Sequence, residues 1–103
     1  MDNYKIEITQ RAFLDIAECV SFVKNVSVEA ANELYREIIN AINSLCSFPN
    51  MFHEIEGLKI RENKVRKMPI HQGRYVIIYK VEKNAITIYD VLDTRKDSYI
   101  LKL

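Results

Sequence analysis

Cations bracket one apolar block in the last third of this 103-residue chain. Lys64, Arg66, Lys67 and Arg74 precede the run Tyr75 to Val81, and Arg95 and Lys96 follow the next apolar run. Guanidinium and ammonium groups gathered on one surface hold polyanions or acidic partners. A proton carrier beside them would add general acid–base chemistry. His71 falls in the turn before Tyr75 and would titrate near neutrality as acid or base, although a turn histidine also serves as a simple solvated residue. His53 has no nucleophile or carboxylate pair at a telling spacing and reads as a loop residue.

Metal and cofactor chemistry find little in the sequence. Cys19 and Cys46 are far apart with no CxxC spacing, as reduced thiols of a cytosolic protein would be. A zinc site from Cys46 and His53 lacks further ligands at recognisable spacing. No glycine-rich loop stands ready to cradle a phosphate, so no cofactor is implied.

The elements that must position these cations follow from periodicity. Tyr75 to Val81 is apolar on both sides of any pleat, which marks a central strand buried from above and below. Lys83-Asn84 is a two-residue connection whose Asn can take positive φ, and Ala85 to Leu92 is rich in Ile, Thr, Tyr and Val, so a hairpin is expected. Upstream, Asn3 to Thr9 alternates like a strand with one face on a core. Thr9 offers an N-cap, and Ala12, Phe13, Ile16, Ala17, Val20 and Val23 recur at helical steps as a core stripe. Ser27 caps a second helix, expected over Val28 to Ser47, with a broad face of Ala31, Leu34, Tyr35, Ile38, Ile39, Ala41, Ile42 and Leu45 and with Glu33 and Glu37 outward.

Phe48-Pro49 closes that helix, because proline cannot continue the ladder. Asn50 to Gly57 reads as a loop pinned by Phe52, with Gly57 supplying a turn. Leu58 to Arg61 is either a short strand or part of that loop. Lys64 to Ile70 reads as a strand that Pro69 drives toward an edge or a bulge. The apolar tail from Ser98, with Tyr99, Ile100, Leu101 and Leu103, would pack on the domain or form part of a partner surface.

This order predicts one α+β domain spanning residues 1–103. It has two layers: an N-terminal strand, an αα-hairpin, then an antiparallel sheet of three to four strands, with helices on one face and the cations on the other. A hydrophobic share of 49% allows one core without disulfides or metal. No apolar run approaches membrane-spanning length and no signal-peptide pattern opens the chain, so the cytoplasm is the expected compartment. The formal net charge is only +1, so bulk electrostatics would not draw the protein onto nucleic acid. Acids outnumber bases from Met1 to Glu56 and the balance reverses from Leu58 onward, which puts the positive charge in the sheet-forming half.

Several stretches together resemble the RelE/ParE superfamily of small bacterial toxins. They are Ala12-x-x-Asp15-Ile16 with Phe22-Val23, Ala31, Leu34 and Ile38, then Leu45-x-x-Phe48-Pro49, Arg66-Lys67-Met68, Gly73 to Tyr79, and Val91 to Asp97. The resemblance covers essentially the whole chain and rests on order and spacing rather than on any one motif. It implies a growth-inhibiting toxin of a type II toxin-antitoxin pair, of the kind linked to plasmid stabilisation. A cognate antitoxin would hold it silent by wrapping an often helical segment across it in a hetero-oligomer.

Members of that superfamily differ in target. RelE-like toxins are ribosome-dependent endoribonucleases that cleave mRNA, whereas ParE-like toxins act on DNA gyrase. RelE-like toxins place an arginine directly after the residue equivalent to Tyr75, and here that position is Val76. Arg95-Lys96-Asp97 is closer to the ParE-like form. The resemblance therefore leans toward a gyrase-binding toxin, with Arg66, Lys67, Arg74, Arg95, Lys96 and Tyr99 as target-binding candidates. A ribonuclease built on Arg66, Arg74, Arg95 and His71 is the alternative, and a partner-binding relic of the fold is a third. Arg95 also has a purely structural reading, a salt bridge to Asp93 or Asp97 that closes the sheet end.

Overall fold

The computed structural model describes residues 4–60 and 63–96. Strand β1 (Lys5–Ile8) leads into helices α1 (Gln10–Lys24) and α2 (Val28–Ser44), then strands β2 (Glu54–Ile60), β3 (Asn63–Ile70), β4 (Tyr75–Val81) and β5 (Ala85–Asp93). The strands form one sheet in the order β1-β5-β4-β3-β2. Strands β2 to β5 pair antiparallel in turn, and β1 returns to lie parallel to β5. This is the expected two-layer α+β fold, with the doubly apolar β4 at the centre.

Both helix starts follow from their caps. The Thr9 side chain accepts from the Ala12 N–H and the Ser27 side chain from the Ala30 N–H, each at 3.1 Å. Helix α2 stops three residues short of the expected end, with Leu45 as its C-cap, so Cys46 lies in the following turn. Glu54 to Gly57 belongs to β2 rather than to a loop. Gly57 takes φ +79 inside that strand, between Glu54 and Lys59, where the register with β3 shifts. Glycine here serves a bulge rather than the expected turn. In the β4–β5 connection, positive φ is not found at Asn84; among the described residues the non-glycine positions that adopt it are His71 and Gln72.

Pro69 lies opposite Val76 and faces the free edge of the sheet. The Lys67 N–H bonds outward to the His53 carbonyl, so the equivalent position of Pro69, two residues on, points the same way. Strand β2 does not extend that far along β3, and the N–H that proline lacks would have had no strand to meet.

The core lies between helices and sheet. Tyr75, Ile77 and Tyr79 of β4, with Met68, Ile70, Ile86, Ile88 and Val91, meet Ala12, Ile16, Leu34, Ile38, Ile42 and Leu45. A hydrogen bond of 2.9 Å from the Tyr79 hydroxyl to the Pro49 carbonyl fixes the chain leaving α2. Helix α1 is fastened to a bulge in β5, where Tyr89 is extra to the ladder with β4. Thr9 donates to the Tyr89 carbonyl at 3.2 Å, and Asp15 accepts from the Val91 N–H at 3.1 Å. Phe13, Ala17 and Tyr35, expected in the core, are exposed, because α1 and α2 leave an open groove between them there.

The opposite sheet face is not a basic surface. It carries a second buried cluster of Val65, Val76, Ile78 and Leu92, with Ile55 and Tyr89 packed against it. Lys80 belongs to this face and is itself fully buried. The alternation that exposes Lys67 there turns Arg66 to the helix side, opposite Tyr79.

Candidate functional site: a cation-rimmed pocket at the β4–β5 end

The cations that come together do so at one end of the sheet, where β4 begins and β5 ends. Tyr75 pairs with Asp93, which sets Arg74 beside Thr94. Thr94 closes this end by bonding the Arg74 carbonyl through its N–H at 3.0 Å and the Gly73 carbonyl through its hydroxyl at 2.8 Å. Beyond it the chain folds over Asp93. The Asp93 carboxylate accepts from the Arg95 backbone N–H at 2.9 Å, from Nε at 3.1 Å and from Nη2 at 3.0 Å. Lys96 reaches back to Glu18 of α1 at 3.1 Å.

Between these groups lies a pocket of about 370 Å³, lined by Glu18, Cys19, Phe22, Tyr75, Asp93, Arg95 and Lys96. Cys19 and Tyr75 contribute groups that are neutral at physiological pH. Burial, then the neighbouring Asp15 and Asp93, pushes the Cys19 thiol up to about 11, so it is a poor nucleophile. Burial, then Cys19 and Asp93, raises the Tyr75 hydroxyl against the opposing pull of Arg95 and Arg74. The pocket thus joins an apolar floor to a charged rim. Arg74 is exposed and, among the described residues, has no ionic partner.

His71 lies near the same end, on the helix side. Its backbone N–H donates to Glu37 Oε2 at 2.7 Å, its Nδ1 is 2.8 Å from Glu37 Oε1, and its ring centre is 6.0 Å from that of Tyr75. Glu37, expected to point outward, is therefore engaged with this turn. Glu37 thus holds His71 through both its backbone and its ring.

The remaining candidates stand apart. Arg66 donates to the Phe52 carbonyl at 2.7 Å and to Glu54 at 3.3 Å, so its guanidinium ties the chain before β2 to the sheet. Lys67 is exposed on the face opposite the helices. Tyr99 and Asp97 lie outside the described residues. Sequence reasoning did not assign Glu18, Cys19, Phe22 and Tyr75 to the site. The i, i+1, i+4 spacing of the first three along α1 was the available sign of one shared flank.

A second surface, of different character, lies between the helices. Ile8, Phe13, Ile16, Ala17, Val20, Tyr35 and Ile39 line an apolar groove of about 440 Å³, with Phe13 64% and Tyr35 50% exposed. Apolar residues exposed together in this way mark protein-binding surfaces. The model of the ParE toxin of the type II toxin-antitoxin system parDE matches residues 6–98.

The chain belongs to the ParE toxin family.

Among solved structures, this ParE-family toxin is similar to a chain of the chromosomal ParDE toxin-antitoxin system from P. aeruginosa. The TM-score is 0.70 at 15% sequence identity, over 90% of this chain and 98% of that one. That likeness concerns the fold. A comparison with curated protein sequences gives no match. Among the described residues of the ParE-family toxin, no helix is long and apolar enough to cross a membrane.

Proposed function

We propose that this ParE-family toxin arrests growth in the cytoplasm by binding DNA gyrase, without breaking a bond, and that a cognate antitoxin holds it silent. The observation that carries this reading is Val76. At the position where RelE-like ribonucleases carry an arginine, this chain has a side chain 6% exposed in the sheet's second apolar cluster. No phosphate could be held there. The cations available to gyrase are Arg74, Arg95 and Lys96 around the pocket at the β4–β5 end.

The antitoxin is assigned to the groove between α1 and α2. Its exposed Phe13 and Tyr35 suit the apolar stripe of an amphipathic helix, which docks by side chains three and four residues apart. A small neighbouring reading frame encoding such a helix would support the pairing.

The test uses purified toxin. Gyrase supercoiling is followed alongside the integrity of ribosome-bound mRNA, for the native chain and for Arg95→Ala. Inhibited supercoiling with intact mRNA, lost on Arg95→Ala, is expected. Cut mRNA with unaffected gyrase would overturn the reading in favour of a ribonuclease, and harmless expression in a bacterium lacking any antitoxin would overturn it in favour of a non-toxic relic.

A further inference from the structure

The sheet guards its edges unequally. Strand β2 is broken by the bulge at Gly57, and the end of β3 that β2 does not cover carries Pro69. Both devices hinder the addition of a further strand. Strand β1 has neither. Its register with β5 is continuous from Lys5 to Ile8, and it contains no proline or glycine.

The outer side of β1 presents main-chain groups in a known phase. Lys5 and Thr9 donate their N–H groups inward, to the carbonyls of Asn84 at 2.9 Å and Ile88 at 3.0 Å. Alternation then points the N–H and C=O of Ile6 and Ile8 away from β5, toward a side where no other strand of the described residues lies. The Cys46 thiol rests 3.8 Å from the Tyr4 carbonyl at the start of the strand, leaving Ile6 as the centre of the open stretch.

The side chains here define a partner. Lys5 and Glu7 are both exposed and, being two apart, share one face of β1. Like charges in those positions would repel a second copy of the strand, but an opposite pair does the reverse. In an antiparallel arrangement centred on Ile6, Lys5 stands opposite the second copy's Glu7 and Glu7 opposite the second copy's Lys5, while the two Ile6 residues exchange N–H···O bonds.

We propose that β1 is a homodimerisation edge, at which two copies of this toxin join antiparallel about Ile6 into one continuous sheet. The symmetry is the closed two-fold kind, in which the same patch serves both copies. Four residues make a small contact, so the dimer is weak and concentration-dependent. The inference is independent of the target, and at Ile8 the edge adjoins the groove assigned to the antitoxin.

The test is a charge exchange followed by sedimentation equilibrium over a concentration series. Because both side chains are solvent exposed, Lys5→Glu and Glu7→Lys keep the fold, which circular dichroism checks. Wild type is expected to dimerise, and each variant alone to do so about tenfold more weakly. An equimolar mixture of the two variants restores opposite charges at both positions and recovers association as a heterodimer. A wild type that stays monomeric throughout, variants that dimerise like wild type, or a mixture that fails to recover would each overturn the proposal. So would variants that lose affinity only for a separate antitoxin, because the edge would then serve another protein.

Discussion

Asp93 holds Arg95 across two residues through both oxygens, with Nε 3.1 Å from Oδ1 and Nη2 3.0 Å from Oδ2, while Asp93 itself stands opposite Tyr75 in the β4–β5 ladder. The guanidinium is thereby given one orientation at the pocket rim without being buried; its side chain remains 46% exposed. A bidentate carboxylate fixes direction as well as charge. A contact with a partner can then form with less loss of side-chain freedom.

Arg95→Ala should therefore separate function from stability. Inhibition of gyrase is expected to weaken at least about tenfold, the scale of a central charged contact. The thermal midpoint should hardly move, because exposed pairs contribute little to folding. Arg95→Lys should restore only part of the inhibition, since an ammonium cannot reproduce the planar fork.

The same pair gives an acid signature. The hydrogen bond from Arg95 holds the Asp93 carboxyl below the usual carboxylate range, in spite of partial burial. A carboxyl whose folded pKa is depressed contributes stability above its unfolded value, about 3.9, and loses it as pH falls through the lower folded value. Denaturant titrations from pH 5 downward should show a shallower fall for Asp93→Asn than for wild type. Equal slopes would mean the pair does not contribute.

The β3–β4 turn carries His71 at φ 53 and Gln72 at φ 57, a left-handed conformation that costs an ordinary residue about 1–2 kcal/mol. Gln72→Gly removes much of that cost and should stabilise by about 0.5–1 kcal/mol after the extra chain entropy of glycine. Glu37→Ala should destabilise by about 1 kcal/mol, since it deprives the His71 N–H of its acceptor. Chemical denaturation of the two variants checks both signs.

Lys80 is fully buried on the second sheet face, its ammonium 2.9 Å from Glu82 and 5.7 Å from the centre of the Tyr89 ring. Opposite charges at that distance hold the pair. Burial works against the ammonium, but the contacts with Glu82 and Tyr89 outweigh it and raise its pKa above the usual lysine range. Its stabilisation is present below the unfolded value of about 10.4 and is lost as pH rises through the higher folded value. Glu82→Ala should cost about 2 kcal/mol by leaving the ammonium unpaired, whereas Lys80→Met should be nearly neutral and free of the alkaline dependence. Unfolding curves at pH 7 and above pH 10 distinguish them.

Val76→Arg tests the ribonuclease reading from the other side. Restoring an arginine there buries an unpaired charge among Val65, Ile78 and Leu92 and should destabilise by about 3 kcal/mol or more, without producing mRNA cleavage. A stable variant that cuts ribosome-bound mRNA would contradict the placement of that side chain.

Much of the fold was legible because local rules and tertiary packing agreed. The stripe through Ala12, Ile16, Leu34 and Ile38, the caps at Thr9 and Ser27 and the doubly apolar run from Tyr75 each have a single comfortable placement. The site was legible in part. Arg74, Arg95 and Lys96 are close in the chain to the two strand ends that the hairpin joins, so reading the hairpin gathers them. Arg66 was misplaced because strand alternation gives two faces but does not say which one meets the helices.

By itself the sequence determined the first strand, the two helices and the strands β3 to β5, the central place of Tyr75 to Val81 and the concentration of cations in the sheet-forming half, since period, capping and composition act over a few residues. Only the tertiary structure decided that β1 returns parallel beside β5, that Glu37 turns in to hold His71, and that the face opposite the helices is apolar around a buried Lys80. These depend on contacts between groups tens of residues apart, where what a side chain meets is fixed by how the layers close over it and not by its neighbours in the chain.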